Sequence, residues 1–231
     1  MINIGVYNDN TNYVSNDKIN FIKFKGDIEL ISNKVKSSEK LENYSKTFQH
    51  DAIRINDIIK KNVGNTNILL IDGTTSIGGN FLEFIKCFKY NIGIDVNKDR
   101  YDKLNDNIKN VDNIIIKKTN KSYNKYIYGN NKIITNNGSF INIYNNILKK
   151  YYYMDTVIFL DPPWGGKEYK NYDKIIFGLD GIALLDIIKN IRNIKKNVYF
   201  CLKLPLNYYL DSFWGTNYKK YIFEKFIIIY L

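Results

Sequence analysis

Histidine is almost missing from this chain of 231 residues, where His50 stands alone. With one imidazole and two cysteines, Cys87 and Cys201, a zinc site built from the usual nitrogen and sulfur ligands is not expected. The cysteines lie in the apolar settings "IKCFKY" and "YFCLKL", which suits reduced core thiols and argues against a disulfide framework. No run of eighteen apolar residues occurs, and "MINIGVYNDN" has no basic region ahead of a long apolar one. Neither a membrane span nor a secretory signal is therefore expected, and a soluble, intracellular protein is. Internal repeats and Pro/Gly/Ser-rich linkers are also missing. One main domain, 46–231, is expected behind a short N-terminal extension, 1–45, in which "INFIKFKGDIELI" reads as a hairpin about Gly26 and Asp27.

The chain is rich in lysine, with a formal net charge of +11, and 45% of it is hydrophobic. That apolar share can fill a substantial core. The positive charge favours a phosphate-rich partner, because neutralised phosphates release condensed counterions. The accompanying excess of Asn, Ile, Tyr and Phe also fits codon bias in an AT-rich genome, which would leave much of the lysine as solvated surface.

A helix is expected from about Asp51, where Ile53, Ile55, Ile58, Ile59 and Val63 recur at mixed helical spacing. "NILLID" then reads as a strand ending in Asp72, "GTTSIGGN" as a turn of small residues and "FLEFIKCFK" as a helix. A second strand, "NIGID", ends in Asp95 and leads into the charged helix "NKDRYDKLNDNIKN". This order opens a doubly wound nucleotide-binding sheet, in which glycines let the main chain approach a ligand and an acid after the second strand accepts hydrogen bonds from a ribose diol. Taken alone, Asp95 also fits the N-cap of the next helix.

Proline and tryptophan are scarce, at three and two copies, yet "DPPW", Asp161 to Trp164, follows the run "DTVIFL" directly. That run reads as a central parallel strand covered on both faces, so "DPPW" falls at the carboxyl edge, where ligands of such sheets bind. Prolines have no amide hydrogen, and the Pro162 and Pro163 carbonyls beside Asp161 present a row of acceptors suited to an exocyclic amino group. Trp164 offers a face for a planar base, and Gly165 and Gly166 leave room beside it. The plainer alternative is a chain stop followed by a core tryptophan.

"IDGTTSIGGN", "IGIDVNKDR" and "VIFLDPPWGGKEY" together resemble the trimethylguanosine synthase family, with "NGSF", "GLDGIALLDIIKNI" and "NVYFCLKLPLN" extending the similarity over roughly residues 45–208. The resemblance implies an α/β chain of the Rossmann-like class I methyltransferase type, a doubly wound and mostly parallel sheet. It implies methyl transfer from S-adenosylmethionine, leaving S-adenosylhomocysteine, to the exocyclic N2 of the 7-methylguanosine cap of RNA. The bare "DPPW" is shared with N6-adenine and N4-cytosine methyltransferases, so another amino-group methyltransferase, or an inactive RNA-binding subunit of the same fold, are the alternatives.

Carried over residue by residue, the resemblance assigns Asp72, Gly73, Thr75, Gly78 and Asn80 to the turn beneath the methionine part of the cofactor and Asp95 to its ribose. Ser139 and Phe140 would lie near the adenine, Phe48 with its neighbours would close the cofactor pocket from the N-terminal side, and Asp161 would face both ligands. Asp161, Pro162 and Trp164 would serve the reaction, with Pro163, Trp164, Lys203 and Asn207 on the substrate. Capped RNA is the implied partner of a monomer that needs no metal, acting in cytoplasm, nucleus or a viral replication site. The chain departs from the family at Ser139, where an acid is usual, at Asp161, where many members have Ser, and at Leu206, where an Arg is frequent. The last change leaves Lys203, or Lys23 or Lys25 of the extension and its share of the substrate cleft, to meet the cap phosphates. "KKTNKSYNKYIYGNNK", residues 117–132, reads as an insertion before the third strand.

Overall fold

The computed structural model describes residues 47–210 and 217–231. The extension with its expected hairpin, its lysines and Trp214 lie outside them. Nine strands of the main sheet run in the order β10-β11-β9-β6-β1-β2-β5-β4-β3. β1 (Leu69–Asp72), β2 (Tyr90–Asp95), β5 (Asn131–Asn137), β6 (Thr156–Leu160) and β9 (Val198–Pro205) form its parallel centre. β10 (Lys219–Ile222) and β11 (Phe226–Tyr230) complete one side, with β11 antiparallel to both of its neighbours.

β1 and β6 are buried at every residue. Both faces are covered, which is why their sequences run apolar without alternation. Leu69 and Ile71 join one core cluster with α4 (Phe140–Lys150) and α5 (Leu184–Ile194). Leu70 joins another with α1 (Gln49–Val63), α2 (Phe81–Cys87) and α3 (Lys98–Lys109). The chain thus winds to either side of the β1–β6 boundary, the doubly wound arrangement anticipated above. Gly64 ends α1 at φ 79°, donating its N–H to the Lys60 carbonyl, a left-handed position that costs glycine little. Both cysteines are free thiols.

Two stretches differ from the simplest sequence reading. Residues 117–132 fall in a hairpin of β3 (Ile114–Thr119) and β4 (Tyr123–Tyr128), which widens the sheet beyond β5, the third parallel strand. "GLDGIALLDIIKNI" is helical only from Leu184, because Asp180 and Gly181 at φ 50° and 76° first turn the chain between the short strands β7 (Gly178–Leu179) and β8 (Ile182–Ala183). A 3-10 helix, Gly166–Asn171, follows "DPPW".

Candidate active site

The site grows from the carboxyl ends of adjacent strands. Asp72 ends β1, Asp95 ends β2, and Asp161 follows β6, so parallel pairing sets the β1 acid between the other two. Asp72 is buried and accepts a hydrogen bond from Thr74 N at 3.0 Å. Thr74 closes the turn on its other side, its Oγ1 accepting from Asp161 N at 2.7 Å. Thr75 N and Oγ1 both donate to the Ile94 carbonyl at 3.0 Å, and Gly78 N donates to the Thr75 carbonyl. Gly73 is needed for packing, since a Cβ there would meet Leu160 Cδ2 at 2.6 Å and the Phe140 ring at 2.8 Å. Phe140 is accordingly a core residue against the turn, 4% exposed.

Asp95 does not cap α3. Asn97 does, its side chain accepting from Arg100 N at 2.9 Å. Asp95 Oδ2 accepts from Ser76 N and Oδ1 from Asn97 N, both at 2.8 Å, and Arg100 Nε lies 3.3 Å from Oδ1. Asp95 therefore ties the turn after β1 to the end of β2, and its removal would strand buried amides.

Lys203 is the residue whose placement differs most from the sequence reading. Expected at the cap phosphates, it is instead 5% exposed on β9, donating to Asp161 Oδ2 at 2.8 Å and to Thr47 Oγ1 at 2.9 Å. Thr47 also accepts from Asn80 Nδ2 at 3.0 Å, while Asn80 Oδ1 is buried without a partner among the described residues. The ammonium of Lys203 lies 5.4 Å from the Trp164 ring centroid and 4.9 Å from that of Phe226. Trp164 packs against both core clusters, meets Tyr169 edge-on at 5.5 Å, and buries Nε1 without a partner among the described residues. Pro162 is buried and Pro163 exposed.

Three other residues of the expected site have contacts that the sequence did not announce. Phe48 is 62% exposed and stacks on His50, while its neighbour Thr47 enters the site. A threonine ahead of a helix carries no signal that distinguishes a contact with Lys203 from a cap, so this partner, unlike the segment it belongs to, was not legible in the sequence. Asn207 holds the segment after "DPPW" in place, Nδ2 donating to the Tyr169 and Tyr172 carbonyls at 2.8 and 2.7 Å. Ser139, standing where the family has an acid, hydrogen-bonds Asp180 of the β7–β8 turn, so a carboxylate reaches that position from elsewhere in the chain.

Burial raises the pKa of Asp72 well above the usual carboxylate range, with the charges of Asp161 and Asp95 adding to the effect. Asp95 and Asp161 are also raised by burial, against the opposing pull of Arg100 and Lys203 respectively. Such a group of desolvated acids fits a ligand that carries positive charge of its own. An ammonium and a sulfonium on one small molecule would meet that demand, with Asp72, Asp161 and the Asn80 amide oxygen as the groups to hold it.

Residues 67–225 match the family model of the RNA cap guanine-N2 methyltransferases. An uncharacterized protein of Acanthamoeba polyphaga mimivirus is 30% identical over 166 residues, 70% of this chain, and the chain spans 55% of that relative's length. Among solved structures, the chain is similar to Trm1 from Pyrococcus horikoshii in complex with S-adenosyl-L-methionine. That likeness has 15% identity and a TM-score of 0.45, over 68% of this chain and 37% of that one. It is similar also to the O-methyltransferase from Bacillus cereus in complex with SAH, at 9% identity and a TM-score of 0.40, over 75% of this chain and 70% of that one. With its family model matched over more than half of its length, the chain belongs to the RNA cap guanine-N2 methyltransferase family, a membership that supports methyl transfer dependent on S-adenosylmethionine.

Proposed function

We propose that this chain transfers a methyl group from S-adenosylmethionine to the exocyclic N2 of the 7-methylguanosine cap of RNA, giving a hypermethylated cap. The observation that carries the reading is the part-buried Asp161 carboxylate, held by Lys203 beside the Trp164 indole and one strand from Asp72. S-adenosylmethionine, when bound, supplies an electrophilic methyl on a cationic sulfur. The chain's own contribution is alignment and exclusion of water. Asp161 and the Pro162 carbonyl accept N–H hydrogens of the amino group and turn its lone pair toward the methyl. Asp72, Asp161 and Asn80 would hold the donor, which would supply the methyl group, and Asp161 would be the side chain to take up the proton that N2 gives up. Trp164 receives the methylated base, whose positive charge gains from an indole face.

Mass spectrometry of m7GpppA and GpppA after incubation with the donor tests this. Mass should rise by one or two methyl groups on m7GpppA alone. Equal methylation of GpppA would point to a general amino methyltransferase, and no gain on either would remove the enzymatic reading.

The same carboxylates set a pH dependence. An acid whose folded-state pKa is raised contributes stability that is complete below its unfolded value, near 4, and lost as pH climbs through the raised value. A cationic ligand offsets that loss, so the gain in Tm on adding S-adenosylmethionine should widen from about pH 4 upward. S-adenosylhomocysteine, which lacks the sulfonium charge, should show a smaller widening. A gain that stays constant between about pH 4 and pH 8 would mean that the acids do not face the donor.

A further inference from the structure

Between Asp112 and Asp155 the chain carries no acid at all, but seven lysines and seven tyrosines. At the chain's overall share of acids, 23 in 231 residues, a stretch of that length would hold about four. It builds one continuous flank, comprising β3, β4, β5 and α4. The nearby acids Asp102 and Asp106 belong to α3, which packs on the opposite face, where Asn124 and Tyr126 are buried and bonded to Tyr101 and Asn105. Charge is thus sorted between the two faces of the hairpin.

The acid-free face is open. Lys118 lies directly across from Lys125, and both are exposed. Like charges opposed across strands are unfavourable unless an anion comes between them. Neither is in an ion pair among the described residues, in contrast to Lys60, Lys86 and Lys203. Their neighbours are rings. Lys125 Nζ stands 5.4 Å from the Tyr123 centroid, Lys132 Nζ 5.3 Å from that of Tyr90, and Lys150 Nζ 5.4 Å from that of Tyr151. Amines interleaved with aromatic faces, without an acid, suit a single-stranded nucleic acid, which offers phosphates and bases in alternation.

The flank also reaches the right edge of the sheet. β3 runs parallel to β5, each being antiparallel to β4, so the β3–β4 turn opens on the same edge as the three acids. Asn137 N donates to the Ser122 carbonyl at that turn, and Asn137 Nδ2 to the Asp95 carbonyl, both at 2.9 Å. Four strand spacings separate β6 from β4, about 19 Å.

We infer that the β3–β4–β5–α4 flank binds the single-stranded RNA body that follows the cap; the choice of RNA rests on the cap-methyltransferase reading. The full chain with Lys118→Gln, Lys125→Gln and Lys132→Gln should bind a 5′-labelled, uncapped 20-nucleotide RNA about tenfold more weakly in fluorescence anisotropy near 0.1 M salt. The slope of log affinity against log salt should become shallower by about 2, since each phosphate contact to a single strand contributes about 0.7. A control removing three exposed lysines elsewhere, Lys61→Gln, Lys196→Gln and Lys225→Gln, should keep most of the affinity. KM for a capped 20-mer should rise in the first variant, while turnover of m7GpppA stays at the wild-type value. Equal loss of RNA binding in both variants would reduce the effect to net charge and overturn the assignment. Loss confined to binding of phosphatidylserine vesicles would overturn it in favour of a membrane surface. Should m7GpppA prove not to be a substrate at all, uncapped RNA binding still decides on the flank, independently of the cap.

Discussion

Replacing Lys203 by Met should lower stability by about 3 kcal/mol, or about 6–12 °C in Tm for a chain of this size. The reason is the charge left behind. Asp161 is raised by burial even with Lys203 donating to it, and without that ammonium its carboxylate would lose the ion pair that offsets its desolvation. Adding Asp161→Asn to Lys203→Met should recover most of the loss, because the stranded charge is then gone. The deficit of the single variant should also shrink as pH falls toward about 4, where the acid is protonated in folded and unfolded chains alike. Thermal denaturation at several pH values reads all three results. A wild-type Tm for Lys203→Met, or a double variant no better than the single one, would show that the pair does not hold this edge of the sheet.

The second large effect is expected at Trp164. Trp164→Ala should weaken binding of m7GTP by about 1–3 kcal/mol, roughly five- to 150-fold, through lost stacking, while Trp164→Phe keeps part of it. Affinity for S-adenosylmethionine should stay close to the wild-type value, since Asp72, Asp95 and Asn80 are untouched. With Trp214 replaced by Phe, the remaining indole reports directly. Its fluorescence should be quenched by m7GTP and much less by GTP. Equal quenching by both nucleotides would count against recognition of the methylated base.

The strands at the centre were legible because their burial is complete. "ILLID" and "VIFLD" read as covered strands because every residue is apolar up to the acid that closes the run, and the acids at 72, 95 and 161 followed from those ends. What lay hidden depended on register between distant segments. Leu160 pairs with Leu202, which sets Asp161 beside Lys203, 42 residues later in the chain. No local pattern encodes that offset. A lysine in "CLKLP" reads equally well as a solvated side chain, and its use as a buried counter-ion is visible only once β6 and β9 are aligned. The meeting of Ser139 with Asp180 is hidden for the same reason, because it depends on a two-residue turn at φ 50° and 76° that a helical apolar pattern obscures.

The position of β11 has a consequence for how the protein folds. This strand is buried along its whole length between β9 and β10, both of which precede it in the chain. During folding, therefore, the outer rim of β9 stays unpaired, and β10 has no strand beside it to join, until Phe226–Tyr230 takes its place between them. Open rims of that kind recruit other extended chains. A delay in the insertion of β11 exposes two such rims at once, on β9 and on β10.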